Sequence, residues 1–156
     1  AAALGLPYAF ASHFAPAELM PALEIYRSRF EPSARLAEPY VMVGFNVFAA
    51  ETEQEARLLC TSAQQSILRL RRGSPGQLPP PVADFEEGLS AADRQILDHV
   101  QSCSAVGSAD AVRAGIEAFV DRTGADEVMI AGHIFDHQAR LRSFQITAEE
   151  LMLAHA

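Results

Sequence analysis

A chain of 156 residues, about half of them apolar, is long enough for one domain with a buried core. Its formal charge of −8, with twelve Arg and no Lys, argues against charge-driven binding to nucleic acid. No apolar run approaches the ~18–20 residues that span a bilayer, and no charged-then-apolar leader with a cleavage site opens the chain.

Residues 1–5, Ala-Ala-Ala-Leu-Gly, read as the last turn of a helix stopped by Gly5, with too little chain before it to nucleate that helix. The expectation is that something lies upstream. Residues 7–14 read as a short apolar strand after a Gly-Leu-Pro corner. Period-2 geometry puts Ala9, Ala11 and His13 on one face and Tyr8, Phe10, Ser12 and Phe14 on the other. His13, at the carboxyl end, is the first candidate for chemistry; a histidine bonded to neighbouring backbone is the simpler alternative.

Residues 16–30 are expected to be a helix with Pro16 at its first position and Pro21 separating the first turn from the body. Leu19, Leu23, Tyr26 and Phe30 form its buried stripe. Residues 40–48 make a second strand, rich in β-branched and aromatic side chains. Val41, Val43, Phe45 and Val47 are expected to meet helices. Met42, Gly44, Asn46 and Phe48 are expected to look into a barrel, with Asn46 able to bond a ligand or a nearby loop.

Thr52-Glu-Gln-Glu55 is a capping box opening a helix to about Arg72, with Ala56, Leu59, Ala63 and Leu70 on its buried side. Arg69, Arg71 and Arg72 suit the negative end of that helix. Residues 73–105 interrupt the alternation of strands and helices: a Gly- and Pro-rich loop, a polyproline turn at 79–81, and a helix capped by Ser90 and reaching about Cys103. Such an insertion can act as a lid or as an ordered surface excursion. Ser108 then caps a helix with Val112, Ile116, Phe119 and Val120 on its apolar stripe, stopped by Gly124. Residues 127–132 form a third strand. Asp136 caps a last helix with Leu141, Phe144, Ala148, Leu151 and Met152 on one side. The two thiols, Cys60 and Cys103, are expected to be reduced, in a cytoplasmic protein.

Four stretches carry a resemblance: Gly5-Leu-Pro with its strand and helix; the strand of residues 40–50 followed by Glu51-Thr-Glu-Gln-Glu-Ala56; Val106-Gly-Ser-Ala-Asp-Ala-Val112; and Thr123-Gly-Ala-Asp-Glu-Val-Met129. In this order, up to Met152, they resemble the bacterial luciferase-like, flavin-dependent monooxygenases, with Ala109 standing where proline is usual. The resemblance implies an α/β fold of parallel strands: the C-terminal part, about strands 6–8 with their helices, of a (β/α)8 TIM barrel. Residues 1–156 would be a single partial barrel domain. Three parallel strands cannot close a barrel or hide both edges, whereas eight can.

In such barrels ligands bind where strands end and helices begin. The resemblance implies reduced FMN, supplied by a separate flavin reductase, and O2 used to oxidise an aldehyde-like or other small organic substrate. Ala9 and Ala11 would lie beside the flavin ring. Ser12, His13, Asn46 and His133 would gather at the mouth, with His13 bonding the ring edge or moving a proton. The phosphate-gripping loop of the family would precede Gly5, so the isolated chain is expected to bind flavin weakly or not at all. Alternatives are a non-catalytic flavin-binding or structural subunit on the same fold, and an oxidoreductase using F420. His133 and His137 have one spacing compatible with Zn2+ but no third ligand, and no metal is expected. An incomplete sheet would leave apolar surface that a second copy, or the missing N-terminal half, would cover.

Overall fold

The computed structural model describes residues 1–153. Four parallel strands, β1 (Tyr8–Phe10), β2 (Val41–Ala49), β3 (Ser104–Gly107) and β4 (Glu127–Ala131), alternate with helices α1 (Leu19–Ser28), α2 (Glu53–Arg71), α3 (Ala91–Val100), α4 (Ala109–Thr123) and α5 (His137–Leu153). All strand pairs are parallel and all include β2. Met42 and Val43 pair with β1 and with β4, so these strands flank the first half of β2 on opposite edges. Asn46 pairs with Ser104 and with Ala131, which puts β3 beyond β1 on the same edge.

This arrangement corrects two expectations. The first strand ends at Phe10, and Ser12–Phe14 turn away from the sheet. The edge it vacates is taken by β3, where the sequence predicts the end of the 73–105 insertion and the approach to the next helix. Four residues are too few for a period to declare itself.

The two faces of β2 meet different surroundings. Val41, Val43, Phe45 and Val47 are buried among Leu19, Leu23 and Tyr26 of α1, Val112, Ile116 and Phe119 of α4, and Ile146 of α5. The Phe45 and Phe119 rings lie 4.4 Å apart, centroid to centroid. Tyr26 also joins the strand entries: its hydroxyl donates to Leu6 O at 2.9 Å and accepts from Tyr40 N–H at 3.1 Å. The other face carries no helix over its first half, where Ala9 and Met129 are exposed. Over its second half Phe48 packs against Cys60 and Ala63 of α2 and against Ile134.

Local chemistry explains most of the boundaries. Pro21 sits in the first turn of α1, where its missing N–H has no helical partner to lose. The turn before it, Pro16–Glu18, is a 3-10 helix. Gly5 and Gly124 hold left-handed conformations, φ 57° and 56°, that a side chain would resist. Thr52 Oγ1 accepts from Glu55 N–H, and Ser90 with Asp93 forms a complete capping box. Asp136 Oδ1 accepts from Ala139 N–H at 2.8 Å.

Ser108 makes no side-chain cap of its own. Its N–H and hydroxyl both donate to Glu53 Oε1, so a carboxylate from α2 occupies the positive end of α4. Two stripes also differ from expectation. Leu70 is 62% exposed, and α2 buries Cys60, Ser62, Gln64 and Leu68 alongside Ala56 and Ala63. In α5 the buried residues are Ser143, Ile146 and Thr147, whereas Leu141 and Met152 are exposed. The cause is polar: Ser143 Oγ accepts from the Ala49 N–H at the end of β2, which rotates the helix onto that face.

The insertion is ordered onto α2. Val82 N–H donates to Thr61 Oγ1, Gln65 Nε2 to Pro80 O, and Arg72 pairs with Asp93 at 2.7 Å. Cys60 and Cys103 are free, buried thiols, and burial pushes Cys60 up to about 12. No helix among the described residues is long and apolar enough to cross a membrane.

A contrast between the two faces of the sheet is the expected outcome of truncation. Phe45→Ala should lose about 3–5 kcal/mol. Met129→Ala, on the open face, should lose less than about 1 kcal/mol. Urea unfolding of the two variants checks this, and equal losses would mean that the core lies elsewhere.

Candidate functional site

The carboxyl ends of the strands border a groove of about 200 Å³. His13, Phe14, Asn46 and His133 line it from the strand tips, and Ser66, Ile67, Leu70 and Arg71 from α2. Leu78, Val100, Gln101 and Ser104, from the insertion and the start of β3, close the far side. His13, Asn46 and His133, three positions widely separated in sequence, therefore share one cavity.

The aromatic side chains form a short series at the mouth. The His13 and Phe14 rings are 4.2 Å apart, and Phe14 meets His133 edge-on at 6.4 Å. Phe14 itself is 67% exposed. The floor is polar. His13 Nδ1 and Asn46 Oδ1 are both buried without a hydrogen-bond partner. Such atoms carry an unrecovered desolvation penalty; Nδ1 lies against Gly44, and Asn46 Oδ1 is the one of the two that a ligand in the groove gains by bonding. Gln101 bridges the walls: its Nε2 donates to Cys60 Sγ at 3.0 Å and its Oε1 accepts from Gln64 Nε2 at 3.3 Å.

Electrostatically the groove favours a neutral His13. Burial lowers its pKa below the ordinary 6.5, and the neighbouring His133 lowers it further. Among the described residues, Arg71, at the last turn of α2, is the only guanidinium lining the groove, and no carboxylate lines it.

Several sequence-derived candidates stand elsewhere. Ser12 is fully buried, and its hydroxyl donates to Gly44 O at 2.5 Å. That bond engages the hydroxyl within the fold, and Ser12 does not line the groove. Ala9 and Ala11 are exposed but lie outside the groove lining, and Ala9 shares the open face with Met42. His137 Nδ1 contacts Arg140 Nη2 at 2.9 Å, one helix turn along. Among the described residues no group of three metal-ligating side chains assembles.

Phe14, Ser66, Gln101 and Ser104 were not singled out by sequence reasoning. Only Phe14, beside His13 at a strand tip, carried a signal that could have found it. Ser66 reaches the groove from α2, and Gln101 and Ser104 reach it from the end of the insertion and the start of β3.

A parallel α/β sheet whose strand tips open onto a polar-floored groove defines the class: an α/β fold with a ligand site at the carboxyl edge. No family model matches the chain. A luciferase-like monooxygenase of Escherichia coli (strain K12) is 49% identical over 149 residues, which make up 96% of this chain and 44% of that protein. The uncharacterized protein YvbT of Bacillus subtilis (strain 168) is 47% identical over 146 residues, 94% of this chain and 44% of that one.

Among solved structures, apo-MsnO8 aligns with a TM-score of 0.76 at 29% identity, over 97% of this chain and 46% of that chain. The oxygenating constituent of 3,6-diketocamphane monooxygenase of Pseudomonas putida, a type II Baeyer–Villiger monooxygenase in complex with FMN, aligns at 0.54 and 20% identity, and so shares the fold. It covers 92% of this chain and 41% of that one. The chain is thus similar, over nearly all of its own length, to a protein named luciferase-like monooxygenase, and it spans about 44% of the length of its Escherichia coli and Bacillus subtilis relatives.

The low His13 pKa has a consequence for stability. The unfolded chain takes up a proton near pH 6.5 that the folded chain resists. The contribution is therefore complete above that pH and is lost as pH falls from it toward the folded value. Urea midpoints compared between about pH 7 and pH 5 should fall more steeply for the wild type than for His13→Gln. Equal slopes would contradict the buried, neutral imidazole.

Proposed function

We propose that the chain supplies one wall of the flavin and substrate cleft of a luciferase-like, flavin-dependent monooxygenase. In this reading reduced FMN arrives from a separate reductase, and O2 is used to oxidise an aldehyde-like or other small organic substrate. The observation that carries the reading is the buried, unpartnered Asn46 Oδ1 in one groove with His13 and His133 at the carboxyl ends of parallel strands.

The residues present fit one edge of a flavin. Small-molecule sites usually enclose about 300–1,000 Å³. A groove of about 200 Å³ therefore takes part of such a ligand. The exposed Ala9 and Ala11 leave space for a flat ring over the open sheet face. When bound, the flavin supplies the redox chemistry with O2.

The chain's own side chains have simpler tasks. Asn46 Oδ1 accepts a hydrogen bond, His13 bonds the ring edge or holds a proton, and the aromatic mouth with the insertion, acting as a lid, excludes water. The open face of the sheet is the surface on which a second copy, or the further strands of a longer chain, would pack.

Titrating the chain with FMN while following flavin fluorescence tests this. Binding is expected to be weak, and His13→Ala and Asn46→Ala should each weaken it by about fivefold or more, the loss of roughly 1 kcal/mol. Unchanged affinity in both variants would remove the groove from the flavin site. Preference for F420 would move the reading to a deazaflavin oxidoreductase. Binding of reduced FMN without oxygen consumption would move it to a non-catalytic subunit.

A further inference from the structure

We propose that Ser12 and Gly44 are positioning residues for His13, seating its imidazole edge-on against the bare backbone of β2 so that Nε2 is the nitrogen presented to the groove.

Three observations converge on one backbone position. First, Gly44 lies mid-strand with no positive φ, so its conformation does not call for glycine. What calls for it is space. A Cβ at this position would overlap His13 Nδ1 and come within 2.5 Å of His13 Cε1. Second, the Ser12 hydroxyl, in a fully buried side chain, donates to the carbonyl of the same Gly44 at 2.5 Å. That bond fastens the turn carrying His13 to the strand its ring rests on. Third, the ring atom turned to Gly44, Nδ1, is buried and unpartnered, whereas Nε2 is neither buried without a partner nor bonded to the protein.

The seat has a chemical effect. With Nδ1 dry and no acceptor in reach, placing a proton there leaves a buried N–H unsatisfied, which is costly. The neutral ring therefore carries its proton on Nε2 and offers a donor to whatever occupies the groove. Beside His13, the groove-lining groups that titrate or carry charge are His133, from the segment after β4, and Arg71, from α2. β2 contributes Gly44, Asn46 and Phe48, and the insertion with the start of β3 contributes Gln101 and Ser104, all uncharged. Burial and His133 both oppose a second proton on His13. A donor at Nε2 selects a ligand atom with a lone pair, such as a carbonyl oxygen or a ring nitrogen. The role toward a ligand rests on the function proposed above; the seating of the ring does not.

The test needs no flavin. Histidine ring nitrogens of the labelled chain are followed by NMR through a pH titration in wild type, Gly44→Ala, Ser12→Ala and Val43→Ala. Val43 adjoins Gly44 on the same strand but points into the helix-covered core, so its truncation loosens the fold without touching the seat. The wild type should show His13 with its proton on Nε2 and a midpoint below 6.5.

Gly44→Ala and Ser12→Ala should each raise the midpoint toward 6.5 and mix the tautomers. Val43→Ala should lower the unfolding temperature and leave His13 unchanged. If Gly44→Ala does not fold, Ser12→Ala decides. The proposal is overturned if His13 of the wild type titrates at or above 6.5 or holds its proton on Nδ1. It is equally overturned if the folded seat variants keep the wild-type midpoint, or if Val43→Ala shifts it as much as they do. FMN affinity unchanged in His13→Ala and Asn46→Ala alongside the expected shifts would defeat the proposed function and leave this inference standing.

Discussion

One strand with two unlike faces governs this molecule. β2 is nine residues long and hydrogen-bonds to parallel neighbours along both edges. Its alternation assigns Val41, Val43, Phe45 and Val47 to the helix-covered core, and Gly44, Asn46 and Phe48 to the other side. A slip of one residue in its register would exchange the two sets. The apolar core and the polar groove floor are therefore specified by the same backbone, and neither can move without the other.

That coupling explains how three distant segments come to share a cavity. The turn after β1 brings His13 onto Gly44, β2 itself delivers Asn46, and the segment leaving β4 brings His133. The insertion completes the enclosure because Thr61, Gln65 and Arg72 of α2 hold it by hydrogen bonds. Inside, the balance is a neutral imidazole, an amide oxygen, one cation at the rim and apolar walls. Such a site recognises polar ring edges and carbonyls better than it recognises cations.

Much of this could be read in advance. The stripe Leu19, Leu23, Tyr26, the two faces of β2 and the cap at Ser90 follow from spacing alone, because a strong period or a short local motif dictates each. What escaped depended on tertiary partners. Ser104–Gly107 is a strand because β2 offers an edge left free when β1 turns away at Phe10. The buried side of α5 is set by the bond between Ser143 and Ala49, which no hydrophobic pattern announces. Glu53 reaching Ser108 is a contact across 55 positions.

The site divides in the same way. His13, Asn46 and His133 were legible as residues at strand ends, where parallel folds bind ligands. Ser12 stands apart from the groove lining because its turn lies past the end of the strand, where strand period no longer applies. Gln101 and Ser104 were hidden because their place depends on how the insertion folds back.

The central claim is that the Gly44 and Asn46 face of β2, and no other surface, receives the cofactor. Amide chemical shifts of the labelled chain, recorded as FMN is added, test it most directly. The account predicts that shifts cluster at His13, Gly44, Asn46, Ser104 and His133 and leave Leu23, Ile116 and Ile146 unmoved. Shifts centred on α1, α4 or α5, with the groove silent, would contradict it.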